Sequence, residues 1–157
     1  MILTSHAVVG AALSKVTSSI PGAFALGVIS HYLTDAIPHY DYIEEDFVIN
    51  PHSAKSKRML WPIMLDGVTG LVVSFLLFPP QTYGDFLKVF FAVAGAMLPD
   101  AIQGIEAYFP NWLTAQCNKF HHRMHFLITR KQYLRNFPML GLLLQAGIVA
   151  AFYYFLR

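Results

Sequence analysis

The chain has 157 residues, of which 55% are hydrophobic and 13% charged, with a mean hydropathy of +0.47 and a formal net charge of +2. Soluble domains carry about 25% charged residues, so a water-soluble protein of this composition would struggle to cover its apolar surface. The small net charge, with no basic stripe among aromatics, argues against nucleic acid as a partner, and the lone Cys117 excludes an intrachain disulfide.

The N-terminus, MILTSHAVVG, has no basic leader segment and no clear cleavage site, and reads as part of the mature fold. Residues 2–15 form a short apolar run with Thr4 or Ser5 as a candidate cap. Thr17-Ser18-Ser19 and Pro21-Gly22 interrupt it. A second run, residues 23–37, ends at Pro38, because the residue before a proline leaves the helical region readily. The pattern predicts two short helices forming a hairpin, with one long kinked helix as the alternative.

Residues 39–59 are polar, with a solvated acidic run, Glu44, Glu45 and Asp46, followed by Lys55, Lys57 and Arg58. Three later stretches are long enough to cross a bilayer, which takes about 20 residues: 60–78, closed by Pro79-Pro80, then 86–106, then 137–156. The link at 81–85 makes the first two an antiparallel hairpin. Between the second and third lies a polar segment, 107–136, with a His-rich run at 120–126 and an expected amphipathic helix over 112–128. The predicted fold is one integral membrane domain, 1–157: an all-α polytopic bundle of about five helices with a cytoplasmic amphipathic helix. The two polar segments carry Lys55, Lys57, Arg58, Lys119, Arg123, Arg130, Lys131 and Arg135, and the loop at 79–85 carries no Lys or Arg, so the positive-inside rule puts the polar segments in the cytoplasm and Arg157 on the far side.

Ionisable groups inside membrane segments are costly and mark function. In this topology His6, His31, Asp35, Asp66, Asp100, His121, His122 and His125 all fall near one end of the bundle. His31 and Asp35 share a helix face at i, i+4, and so do His121 and His125 if their segment is helical. Two His one turn apart can grip one zinc or iron ion, with carboxylates from neighbouring helices completing the shell. His39 and Asp41 stand beyond Pro38, where ligands and solvated charge are both common, and His52 reads as exposed. Trp61, Tyr108 and Trp112 fit an interfacial aromatic belt, and Gly67, Gly70, Gly95 and Gly104 fit helix packing.

Thr4-Ser5-His6 with Gly10, then Gly27-x3-His31-x3-Asp35-x3-His39, then Gly95-Ala-Met-Leu-Pro99-Asp100, and finally His122-Arg123-x-His125 resemble the motifs of a family of small prokaryotic membrane-bound metal-dependent hydrolases. That family is distantly similar to the zinc-dependent phospholipase C and P1 nuclease group, all-helical enzymes with clustered zinc. The resemblance covers residues 4–126 and implies His6, His31, Asp35, Asp100 and His125 as metal ligands. Where the family carries Asp-x-Asp-His after Leu-Pro, this chain has Asp100-Ala-Ile-Gln103, so two ligands are missing here.

The expected protein is therefore a membrane-embedded metal-dependent hydrolase of the phosphoesterase type in the inner membrane of a prokaryote. It would act on a phosphoester or phospholipid at the cytoplasmic face. Its metal would be zinc, with manganese or iron as alternatives, on His6, His31, Asp35, Asp100, His121 and His125. Asp66 would orient water and Arg123 would hold phosphate. Membrane lipid and a second copy of the chain are the expected partners. A di-iron membrane oxidoreductase and a non-enzymatic scaffold are the rival readings.

Overall fold

A computed structural model describes residues 1–41, 50–125, 127 and 137–157. The described residues form six α-helices and no strand: α1 (Leu3–Leu13), α2 (Ile20–Asp35), α3 (Ala54–Leu77), α4 (Tyr83–Tyr108), α5 (Trp112–His125) and α6 (Pro138–Leu156). A single 3₁₀ turn, Ser14–Val16, follows α1. The acidic run at 44–46 and the basic residues Arg130, Lys131 and Arg135 lie outside the described residues.

The all-helical expectation holds, and the first 35 residues form two helices rather than one kinked rod. Ser19 caps α2 by accepting from the backbone N–H of Gly22, with Pro21 at the start of the first turn where its missing donor costs nothing. Ser53 and Thr82 cap α3 and α4 in the same way. Ser53 starts α3 six residues earlier than apolar character alone marks it, since an amphipathic first turn needs no apolar run.

The start of α1 corrects the expectation of a cap at Thr4 or Ser5. Leu3 opens the helix after Ile2, which offers no side-chain cap. The cap comes from another helix: Asp66 on α3 accepts from the backbone N–H of Leu3 at 2.8 Å and of Thr4 at 3.1 Å, and from the Thr4 hydroxyl at 2.6 Å. A carboxylate there also meets the positive end of the helix dipole.

Helices α1, α2 and α4 pack through small residues. A Cβ on Gly27 would run into the Ala92 carbonyl oxygen, and one on Gly95 into that of Phe24, so α2 and α4 touch backbone to backbone. Such close approach needs glycine on both surfaces. Away from the polar end, Ala7, Val8, Ala11 and Ala12 of α1 form an apolar core with Phe78, Val89 and Val93, covered by Val149 and Phe152 of α6.

Two helices are long and apolar enough to cross a membrane, α3 with 24 residues and α6 with 19. Only 11% of each apolar window is buried, unlike the core helix of a soluble protein. Leu65, Val68, Val72 and Leu76 of α3 and Met139, Leu143 and Phe155 of α6 are all exposed. The expected polytopic bundle of about five helices, three of them in stretches long enough to span, is cut back to two candidate spans. α1 and α2, at 11 and 16 residues, are shorter than the roughly 20 a crossing takes, and α4, read as a third spanning stretch, carries Asp85, Lys88, Asp100 and Glu106.

Candidate metal centre

The end of α2 is the pivot of the site. Its i, i+4 pair, His31 and Asp35, is fully buried, and the start of α1 lies against it, bringing in His6. α4 supplies Asp100, and α5 supplies His121 and His125 from one face. Ligand atoms of His31, Asp35, Asp100 and His121 all lie within 4.8 Å of one another. A second group, Asp35, His39 and His125, meets the same test and shares Asp35.

Asp35 divides its two oxygens between these neighbours. Oδ2 lies 3.0 Å from His31 Nε2, 2.9 Å from His121 Nε2 and 3.1 Å from His125 Nε2. Oδ1 lies 2.8 Å from the N-terminal ammonium of Met1 and 3.0 Å from His6 Nε2. Asp100 Oδ1 stands 3.7 Å from both His31 Nε2 and His121 Nε2. The imidazoles also crowd one another: Nε2 of His121 is 3.2 Å from that of His31 and 3.0 Å from that of His125.

The protons of these rings follow from their outer partners, because the nitrogen that donates outward fixes the tautomer. A carbonyl only accepts, so His31 Nδ1–H donates to Ala96 O at 2.7 Å, leaving Nε2 of the neutral ring bare. His39 Nδ1–H donates to Ile37 O at 2.7 Å with the same result. The Thr34 hydroxyl donates to Ser30 O at 2.8 Å, so at 3.1 Å it accepts from His6 Nδ1–H. His6 Nε2 is then bare as well, and it is buried with no hydrogen-bond partner of proper alignment among the described residues. Three separate anchors thus turn bare ring nitrogens towards one carboxylate.

A buried set of lone pairs facing one another is unfavourable unless a positive charge lies among them. On the Oδ1 side the Met1 ammonium supplies one, donating to Asp35 and, at 2.7 Å, to His39 Nε2. Burial tends to lower the pKa of that ammonium, but Asp35, Asp41 and Asp100 together outweigh it and the net shift is upward. Burial first, and the ammonium second, hold His39 down at about 4, so it stays neutral and able to accept. On the Oδ2 side, His31, His121 and His125 with Asp35 and Asp100 present three imidazole nitrogens and carboxylate oxygens. That mixture of donors suits zinc, and also manganese or iron. The residues present fit a divalent cation.

The site therefore gathers all six residues read as metal ligands, His6, His31, Asp35, Asp100, His121 and His125. Asp66 and Arg123 stand apart from it. Asp66 lies one helix start away, engaged with Leu3 and Thr4. Arg123 is exposed on α5, two residues from each of His121 and His125, a spacing that does not share their face. His122 is exposed too, and so is His52, whose ring meets Tyr108 edge-on. His39 is buried, and Pro38 does not carry it away from the cluster as a helix break suggests. Thr34 and the Ala96 carbonyl carry no mark in the sequence that separates them from ordinary helix residues.

No model of a known protein family, no curated protein and no solved structure matches this chain.

Proposed function

We propose that this protein is a membrane-embedded, metal-dependent hydrolase of phosphoesters, with its centre on His31, Asp35, Asp100 and His121, backed by His6 and His125. The observation that carries the reading is the convergence of His31, Asp35, Asp100 and His121, from α2, α4 and α5, within 4.8 Å of one another, with His6 of α1 against Asp35. The exposed apolar faces of α3 and α6 support a lipid environment, and the Lys and Arg distribution supports a cytoplasmic-facing site. A divalent ion bound there would supply Lewis acidity and a water acidified towards neutrality.

The chain's own residues divide the remaining work. Asp35, fully buried, supplies the negative charge that draws a cation into an apolar bundle. Thr34 and Ala96 O fix the rings of His6 and His31 so that no reorientation is needed on loading. Asp100 is the more open carboxylate, 15% exposed, and borders the apolar groove between α3 and α4. It is therefore the group that meets a substrate entering from that side. Hydrolysis adds water across a P–O bond. The water oxygen joins phosphorus, the ester oxygen leaves and takes up a proton, and Asp100 is placed to accept the proton the water loses.

Elemental mass spectrometry of detergent-purified protein, with turnover of bis(p-nitrophenyl) phosphate, tests the reading. Stoichiometric zinc or manganese and a phosphodiesterase activity, both lost in a His31→Ala/Asp35→Ala variant, are expected. Stoichiometric iron with a visible absorption band would instead favour the oxidoreductase, and absence of any metal after resupply would sink both. Glu45→Cys should resist an impermeant maleimide added from outside the cell, and labelling there would overturn the orientation.

A further inference from the structure

Two turns into α6 stands Gln145, whose side chain is buried. Apart from Gln145 and two tyrosines, the helix holds only apolar residues. A buried amide in a helix apolar enough to cross a membrane is costly unless each of its groups finds a partner. Both groups do. Nε2 donates to Tyr40 O at 2.8 Å, and Oε1 accepts from the Ile2 N–H at 3.1 Å and from the Ser5 hydroxyl at 3.4 Å. A carbonyl only accepts and a backbone N–H only donates, so the amide has one workable orientation. One turn earlier, Gly141 lets the Tyr40 backbone lie against α6. A Cβ on Gly141 would stand 2.5 Å from Tyr40 Cβ and 2.7 Å from Tyr40 N.

These contacts fall on the two segments that carry His39 and His6. Tyr40 directly follows His39, whose Nδ1–H donates to Ile37 O. Ile2 and Ser5 lie in the first turn of α1, and Ile2 O accepts from the backbone N–H of His6 at 3.4 Å. Asp66 of α3 takes the N–H groups of Leu3 and Thr4. The start of α1 is thus held between the two helices that are candidates to cross a membrane, with α6 reaching on to the Tyr40 segment as well.

We infer that Gln145 is a positioning residue for the metal centre. It ties the start of α1 to the Tyr40 segment and so sets the rings of His6 and His39, both of which turn Nε2 towards Asp35 Oδ1. The inference rests on the metal-centre reading for what the rings serve, and on the contacts of α6 for how they are held. Gln145 acts through these segments and not on an ion. Gly141 has the narrower part of admitting the Tyr40 backbone, and bears on His39 alone.

The experiment uses the full chain in detergent with nitrogen-15-labelled histidine, whose ring nitrogens report the tautomer of each imidazole, together with zinc titration. In the metal-free wild type, His6 and His39 should each hold the single tautomer protonated at Nδ1. Leucine is a good helix former, and Gln145→Leu should average the tautomers of both rings. Its zinc affinity should fall about tenfold, as for loss of an outer partner. Gly141→Ala should disturb His39 and spare His6. Gly147→Ala, where a Cβ meets nothing within 4 Å, should leave both rings and the affinity as in the wild type. A lower Tm in Gln145→Leu with both tautomers kept and zinc affinity unchanged would reduce Gln145 to packing and overturn the inference. Equal effects of Gly141→Ala and Gly147→Ala would overturn it too. Should Gln145→Leu fail to fold, Gly141→Ala carries the test, and an undisturbed His39 there counts against the clasp. If the wild type takes up no zinc, the metal reading falls, and the tautomers of the metal-free protein still decide whether Gln145 sets the two rings.

Discussion

The two ends of the bundle are made by the same helices and held by opposite means. At one end α1 contributes His6, α4 contributes Asp100, and α2 buries His31 and Asp35 between them. At the other, α1 contributes Ala11 and Ala12, α4 contributes Val89 and Val93, and Phe78 closes α3 with its ring edge-on to Tyr153. The apolar end is held by side-chain packing and presents no ligand cluster among the described residues. The polar end gathers Asp35, Asp100 and the bare ring nitrogens of His6, His31 and His39 around one point, so its stability should depend on cations. A change that is merely structural at one end should therefore be chemical at the other.

The largest expected effect is at the shared carboxylate. Loss of an outer partner costs a metal site 10- to 100-fold in affinity, so Asp35→Ala, which removes the residue common to both groups, should weaken metal binding by about 100-fold or more. Isothermal titration with zinc measures this, and an affinity within threefold of wild type would break the comparison. Phe78→Ala, in contrast, should cost about 3 kcal/mol of stability through its cavity, with zinc affinity preserved in the protein that remains folded.

Metal itself should stabilise one end only. Zinc at 100 times its dissociation constant should add about 2.7 kcal/mol to unfolding, read as a rise in Tm in detergent that a chelator reverses. Asp35→Ala should abolish that rise, and Phe78→Ala should leave it intact while lowering both values together. Between the ends stands Asp66. Removing a cap costs about 0.5–2 kcal/mol, so Asp66→Ala should lower thermal stability by that amount and keep zinc stoichiometry. Loss of the metal with stability unchanged would instead return Asp66 to the chemistry of the site.

The smallest effect is expected at the outer partner of His6. Thr34→Val keeps the shape of the side chain and removes the oxygen that accepts from His6 Nδ1. Zinc affinity should fall about tenfold, with Phe78 packing and Tm of the metal-free protein little changed. An unchanged affinity would mean that the His6 ring needs no outer partner.

Much of the site was legible because helices convert spacing into direction. His31 with Asp35, and His121 with His125, sit one turn apart, so each pair had to share a face once its segment was helical. Helices that alternate in direction bring His6 and Asp100 to the same end. Asp66 shows the limit of depth: it lies at the right level, yet its carboxylate is spent on the start of α1. Depth along a bundle says nothing about rotation around each helix. Arg123 fails for the related reason that a spacing of two points away from the His pair it sits between.

Helical character, the breaks near Pro21, Pro38 and Pro79-Pro80, and the pairing of ligands along α2 and α5 were determined by the sequence itself. Each depends on local backbone chemistry within a turn or two. Which helices bury their faces was decided only by packing. α4 reads as apolar as α3, yet backbone contact through Gly27 and Gly95 sinks its small-residue face into the bundle while α3 stays exposed. The cap on α1, the buried position of His39 and the anchors that bare three ring nitrogens were decided there too. Each joins residues far apart in the chain, Asp66 to Leu3 or Ala96 to His31, and no local pattern records a contact that only the folded chain makes.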